Sequence, residues 1–286
     1  MNRRRAAAGP REPAARVVVL LACISVAGCA RVPTAPAPSP VWSDEFDGSA
    51  GAIFDHMKWV ADTGGGGWGN QEREFYTAGA NVALDGQGHL VITARAEPPF
   101  TTDRCWYGAC RYTSARIKTK GRFAQAYGRF EARIRIPRGQ GMWPAFWLLG
   151  ADLDSVGWPG SGEIDVMENV GREPAVVHGT VHGPGYSGSD GITAADTLRG
   201  GAAYADAFHV FAIEWQPEEI RWYVDGRQYH RVTPADLPRG AAWAFNHPFF
   251  VILNLAVGGA WPGDPDSTTT FPQQLVVDYV RAYGAP

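Results

Sequence analysis

The feature that most limits what this chain can become is a succession of short alternating or apolar stretches, each stopped by Gly, Pro, Asn or Asp. HLVITARAE, RYTSARIKT, GRFEARIRIP, MWPAFWLLG, GEIDVMEN, VVHGTVHG, FHVFAIEWQ, EIRWYVDGRQYHRV, FFVILNLAVGG and QLVVDYVRAY follow one another through residues 89–283. Units of this length at regular spacing predict an all-β sandwich of antiparallel sheets. In GRFEARIRIP, Glu131, Arg133 and Arg135 alternate with Ala132, Ile134 and Ile136, so one face of that strand is solvated. Asp225-Gly226 predicts a hairpin turn. Residues 194–207, AADTLRGGAAYADA, break the pattern and read as a loop with at most one helical turn. Residues 41–286 contain no second linker, repeat or long amphipathic helix, which predicts one domain. At 286 residues and 45% apolar composition the chain can bury a substantial core.

The N-terminal segment has a different character. Arg3, Arg4, Arg5, Arg11 and Arg16 precede VVVLLACISVAG, residues 17–28, a run too short to span a bilayer and of the length of a signal-peptide core. Residues 1–28 are therefore expected to direct export. Val26-Ala27-Gly28-Cys29 resembles the bacterial lipoprotein box, with Cys29 as the lipidated residue; the alternative is an ordinary signal with an incidental cysteine. Residues 29–40 form a Pro/Ala-rich tether, and residues 41–286 the domain it carries. The expected location is outside the cytoplasm or in the cell envelope, with membrane contact only through a lipid on Cys29. In such a compartment Cys105 and Cys110, closing the short loop CWYGAC, are expected to form a disulfide. The formal net charge is −3, and the leader holds several of the arginines. The domain is thus more acidic still and would repel phosphate backbones, which argues against nucleic acid as a partner. A monomer is the expectation.

GEIDVMEN, residues 162–169, sets a problem of parity. On a flat strand Glu163 and Asp165 share a face and Glu168 points the other way. A β-bulge at Val166 or Met167 adds one residue and returns Glu168 to the face of the other two acids. The two glutamates then stand roughly 13 Å apart along the strand at their Cα atoms. Side chains leaning together could bring their carboxyls to the ~5–5.5 Å that retaining glycosidases use. The alternative is a solvated strand face carrying three acids. Against it, like charges on one face destabilise a sheet, and no lysine lies near in sequence. Crowded carboxylates push one another's pKa values apart, which serves a site needing one protonated and one ionised acid.

GEIDVMENVG resembles the active-site strand of glycoside hydrolase family 16, in the bulged ExDxxE form of laminarinases rather than the ExDxE form of lichenases. WGNQEREFYT, LVITAR, YTSARIKT, GMWPAFWLLG, VHGTVHGPGYSG, FHVFAIEW and NLAVGGAWPG extend the similarity across the domain. The resemblance implies a β-jelly roll, a concanavalin A-like sandwich with a cleft across one sheet. It also implies endo-acting hydrolysis of a β-glucan, with β-1,3 linkages as in laminarin. Mixed-linkage glucan, agar, carrageenan, galactan, or binding without turnover are the alternatives. By position Glu163 resembles the nucleophile, Glu168 the general acid/base, and Asp165 the residue that hydrogen-bonds the nucleophile.

Around the acids, Trp143 and Trp147 lie four apart on one strand face, either on the cleft floor or in the core; the resemblance favours the cleft, with Trp143 nearer the cleavage point. His178 and His182 are also four apart, with no third ligand at a metal spacing; the resemblance points to His182 beside the acids. Asn70, Arg95, Trp158 and Asn254 resemble sugar-contacting positions, although each could equally brace a turn. The reaction is expected to need no cofactor. The resemblance further implies a structural calcium away from the chemistry, held by Asp278 with oxygens from Glu45 and Gly88; a partly exposed Asp at a strand end is the alternative.

Overall fold

Alternation along the long strands sorts the side chains onto two sheets. In the strand Met142–Gly150, Met142, Phe146 and Leu148 enter the main core, while Trp143 and Trp147 turn to the opposite face. The strand Phe249–Val257 repeats this: Val251, Leu253, Leu255 and Val257 join the same core, while Ile252, Asn254 and Ala256 face away from it. Its outward residues are also buried, which is why its sequence looks uniformly apolar. The computed structural model describes Met1, Gly9, residues 39–96 and residues 104–285. Apart from Met1, Gly9 and residues 39–40, the expected leader and tether, with Cys29, lie outside the described residues, as does part of the loop before Cys105.

The seven-stranded sheet runs, edge to edge, Ile192–Thr197, Val176–His182, Glu163–Glu168, Met142–Gly150, Phe249–Val257, Arg116–Lys118 and Val60–Ala61, each antiparallel to its neighbour. A ten-stranded sheet built on Gly128–Arg135 and Gln273–Tyr283 covers its other face. Between them lie Phe130, Phe146, Phe211, Trp215, Trp222, Leu253 and Val277, all buried in one cluster. This is the two-sheet sandwich that the strand spacing predicts and the jelly roll that the resemblance implies. The Asp225-Gly226 hairpin forms as expected, with both residues at positive φ (49° and 77°) joining Glu219–Val224 to Arg227–Val232.

Residues 194–207 differ from expectation. Ala194 to Thr197 belong to the edge strand Ile192–Thr197, and the helical turn is confined to Tyr204–Asp206. The small residues carry little strand propensity of their own; main-chain pairing with Val176–Val181 fixes them.

Candidate active site

The parity problem is resolved by a bulge. Phe146 pairs with Met167 and Trp147 with Asp165, so Val166 is the extra residue. On the other side Asp165 pairs with Thr180 and Glu168 with His178, three steps against two. Val166 and Met167 both enter the core, and Glu163, Asp165 and Glu168 all line one cleft. Gly162 permits the entry to this strand: its φ is 70°, and a Cβ there would lie 2.8 Å from the carbonyl oxygen of Ala244.

The cleft, about 850 Å³, crosses the outer face of the seven-stranded sheet. Each glutamate is held by an indole: Trp143 donates to Glu168 Oε1 and Trp158 to Glu163 Oε2, both at 2.9 Å. His182 Nε2 lies 3.2 Å from Asp165 Oδ2 and 3.8 Å from Glu163 Oε1. Its ring packs where a Cβ on residue 191 would intrude to 2.4 Å, so Gly191 makes room for it. Burial first, and then the Asp165 carboxylate, push Glu163 up to about 8. Burial likewise raises Asp165. Glu168 is raised by burial and then by both other carboxylates. His182 and the Trp158 N–H favour the charged form of Glu163. Such a cluster cannot carry three full charges, so it can present a proton donor beside an ionised carboxylate.

The expected cleft residues are gathered in large part. Trp143, Trp147, Trp158, His182, Asn70 and Asn254 line the cleft with the three acids. Arg95 does not: its strand belongs to the ten-stranded sheet and its guanidinium donates to the Ala80 carbonyl at 2.9 Å. Arg116 is the arginine in the cleft, over the rings of Trp68 and Trp147 at 5.1 and 4.8 Å. Sequence reasoning also missed Glu72 and Tyr76. Trp147 donates to Asn254 Oδ1, Asn254 to the Tyr76 hydroxyl, and Tyr76 to Glu72, which also accepts from Asn70. Through the buried Tyr76 this chain ties together four cleft-lining side chains, Trp147, Asn254, Glu72 and Asn70. Beside it, burial and the Glu72 carboxylate hold Glu74 well above the usual carboxylate range.

The disulfide between Cys105 and Cys110 is present, with Cα atoms 5.0 Å apart. Strand registers bring the three expected calcium positions together: Asp44 faces Val280 and Leu90 faces Val277, so Glu45, Gly88 and Asp278 adjoin one stretch of the last strand. The Glu45 carboxylate is paired with Arg281, and Asp278 Oδ2 with Arg133. With these pairings in place, a cation there would draw on the oxygen atoms left over, the second Asp278 oxygen among them, and oxygen donors suit a hard cation.

Comparison with known proteins agrees with this geometry. Residues 70–281 match the model of glycosyl hydrolases family 16. A β-glucanase from Rhodothermus marinus is 47% identical over 96% of this chain and 94% of its own length. The structure of an endo-β-1,3-glucanase from Pyrococcus furiosus superposes with a TM-score of 0.80 at 49% identity, covering 86% of this chain and 94% of that one. The laminarinase catalytic domain of Thermotoga maritima gives 0.81 at 46% identity, over 87% and 99%. With most of its length matched by the family model and by these relatives, the chain belongs to glycosyl hydrolases family 16.

Proposed function

We propose that the protein is a retaining, endo-acting glycoside hydrolase that cuts β-glucan at β-1,3 linkages. The observation that carries this reading is the bulge at Val166, which gathers Glu163, Asp165 and Glu168 on a cleft face floored by tryptophans. The names of the relatives support the polymer. Both glutamates are raised by burial and by neighbouring carboxylates and are each offset by His182 and one tryptophan N–H; Glu168 meets both other carboxylates, which suits it to hold the proton, and Glu163 alone has Arg116 favouring its anion, which suits it to attack.

In the first step Glu168 gives its proton to the glycosidic oxygen while Glu163 attacks the anomeric carbon. The carbon–oxygen bond breaks and the leaving sugar departs with the proton. In the second step the Glu168 carboxylate takes a proton from water, whose oxygen attacks the anomeric carbon and releases Glu163. Asp165 between them disfavours simultaneous ionisation of both glutamates.

Incubating the protein with laminarin, lichenan, agarose and carrageenan, sizing the products and reading the first-formed anomer by NMR tests the proposal. Release of oligosaccharides of mixed length from laminarin, with β configuration kept, is expected. Hydrolysis confined to a galactan would overturn the polymer; an inverted anomer would overturn the mechanism.

The same reading makes the protein an exported monomer held at a membrane through Cys29, supported by the apolar leader and the Pro/Ala-rich tether. Cys29→Ala should move activity from the membrane pellet to the soluble fraction. A calcium ion at Glu45, Gly88 and Asp278 completes it as a structural element; chelation should lower Tm, and an unchanged melt would remove the ion.

A further inference from the structure

Among the described residues two tryptophans are strongly exposed, Trp158 and Trp106, at 49% and 46%. Trp158 lines the cleft; Trp106 does not. It stands on the hairpin of Arg104–Cys105 and Gly108–Ala109, clamped by the disulfide to Cys110. The hairpin is fixed to the cleft wall at several points. The Trp106 indole N–H donates to the carbonyl of cleft-lining Glu72 at 2.8 Å, and its main-chain N–H donates to Gly65. A Cβ on Gly67, next to cleft-lining Trp68, would meet the indole at 2.8 Å. The ring is thus held rigidly at the cleft rim with nearly half its surface in water.

Beside it lies a second cavity of about 300 Å³, lined by Arg73, Tyr107, Arg111, Tyr112, Asp264 and Pro265. Arg73 joins the two features: its guanidinium lies 4.8 Å from the Trp106 ring and 5.2 Å from that of Tyr107, and it makes a two-point ion pair with Asp264 at 2.8 and 2.9 Å. Its main-chain carbonyl accepts from the Tyr107 hydroxyl, and its N–H donates to Val257 on the strand that carries Asn254. Fixed aromatic faces beside a planar array of donors and acceptors suit a sugar, which offers C–H patches to rings and hydroxyls to polar groups. The ion pair with Asp264 offsets the Arg73 charge, so this pair offers a sugar hydrogen-bonding edges, and Arg111 adds a further donor at the cavity.

We propose that Trp106 and this cavity form a second carbohydrate-binding site, outside the catalytic cleft, which takes a stretch of the same neutral β-glucan overrunning the cleft rim. The site rests on the β-glucanase reading above and adds affinity for long chains without touching the reacting bond.

Steady-state kinetics on polymeric laminarin and on a short β-1,3-glucan oligosaccharide, for the unaltered protein, Trp106→Ala and Trp106→Phe, test it. For Trp106→Ala, KM on the polymer should rise about three- to tenfold with kcat unchanged, while the oligosaccharide parameters stay as they were. Trp106→Phe, which keeps an aromatic face, should recover most of the polymer affinity. An unchanged polymer KM in Trp106→Ala, or equal losses on both substrates, overturns the second site. If the unaltered protein hydrolyses neither substrate, it is the β-glucanase reading that fails instead.

Discussion

Trp158, half-exposed at the cleft mouth, donates its indole N–H to Glu163 Oε2 at 2.9 Å. The bond favours the carboxylate over the acid and opposes the burial that raises Glu163. Trp158→Phe keeps a ring and removes the donor. Glu163 must be ionised to attack, so the acid limb of the kcat/KM profile should move to higher pH. At pH values on that limb the loss should be about three- to tenfold. A pH profile that superposes on the unaltered protein's would make Trp158 a sugar contact alone.

Glu163→Ala and Glu168→Ala should each leave the fold intact, because neither side chain enters the main core. Turnover of laminarin should fall by about 10²–10⁴-fold or more in both. They should differ in one respect. Substrates with an acidic leaving group need no proton from Glu168, so Glu168→Ala should still be glycosylated by them, whereas Glu163→Ala should not. Normal turnover by folded Glu163→Ala would remove the nucleophile assignment.

Enclosing Glu163 also has a cost in stability. Its folded pKa of about 8 lies above its ordinary value of 4.5. Between those values the native state holds the proton more tightly than the unfolded chain, so stability falls as pH rises through that window. Glu163→Gln does not titrate and escapes the penalty. It should melt higher than the unaltered protein at pH 8, by roughly 4 kcal/mol of stability, with the gain vanishing near pH 4.5. Thermal melts of both proteins from pH 4.5 to 8 read this directly; a difference independent of pH would sink it.

Sequence reasoning reached the three acids because parity is a local property: two residues of separation or five decides the face, and one bulge is the economical repair. It failed between Arg95 and Arg116 because locally the two are alike. Thr93-Ala94-Arg95 and Ser114-Ala115-Arg116 are near-identical steps in alternating strands. Only pairing distinguishes them: Arg95 faces Thr113 across one sheet, and Arg116 faces Asn254 across the other. Register is a tertiary fact, invisible to a reading of neighbours. Glu72, Glu74 and Tyr76 did leave a signal. Polar groups at a spacing of two imply one strand face; Glu74 and Tyr76 share it on the strand Glu74–Tyr76, Glu72 stands just before that strand, and all three are buried. Two neighbouring buried acids call for a proton between them or donors around them, and here both are supplied.

Arg116 yields the last prediction. Its guanidinium spans Trp68 and Trp147 and pairs with Asp62 at 3.1 Å, and it also favours the anion of Glu163. Lys118 is a second partner of Asp62, so removing Arg116 leaves no uncompensated acid and the fold should survive. Arg116→Ala frees both rings to tilt. KM for laminarin should rise about tenfold, and the acid limb of the rate profile should move to higher pH. Arg116→Lys keeps the charge but not the planar stack, so it should restore the pH profile and leave KM high. If Lys restored both, the charge alone would matter; if neither parameter moved in Arg116→Ala, the guanidinium would be a brace between strands with no part in the cleft.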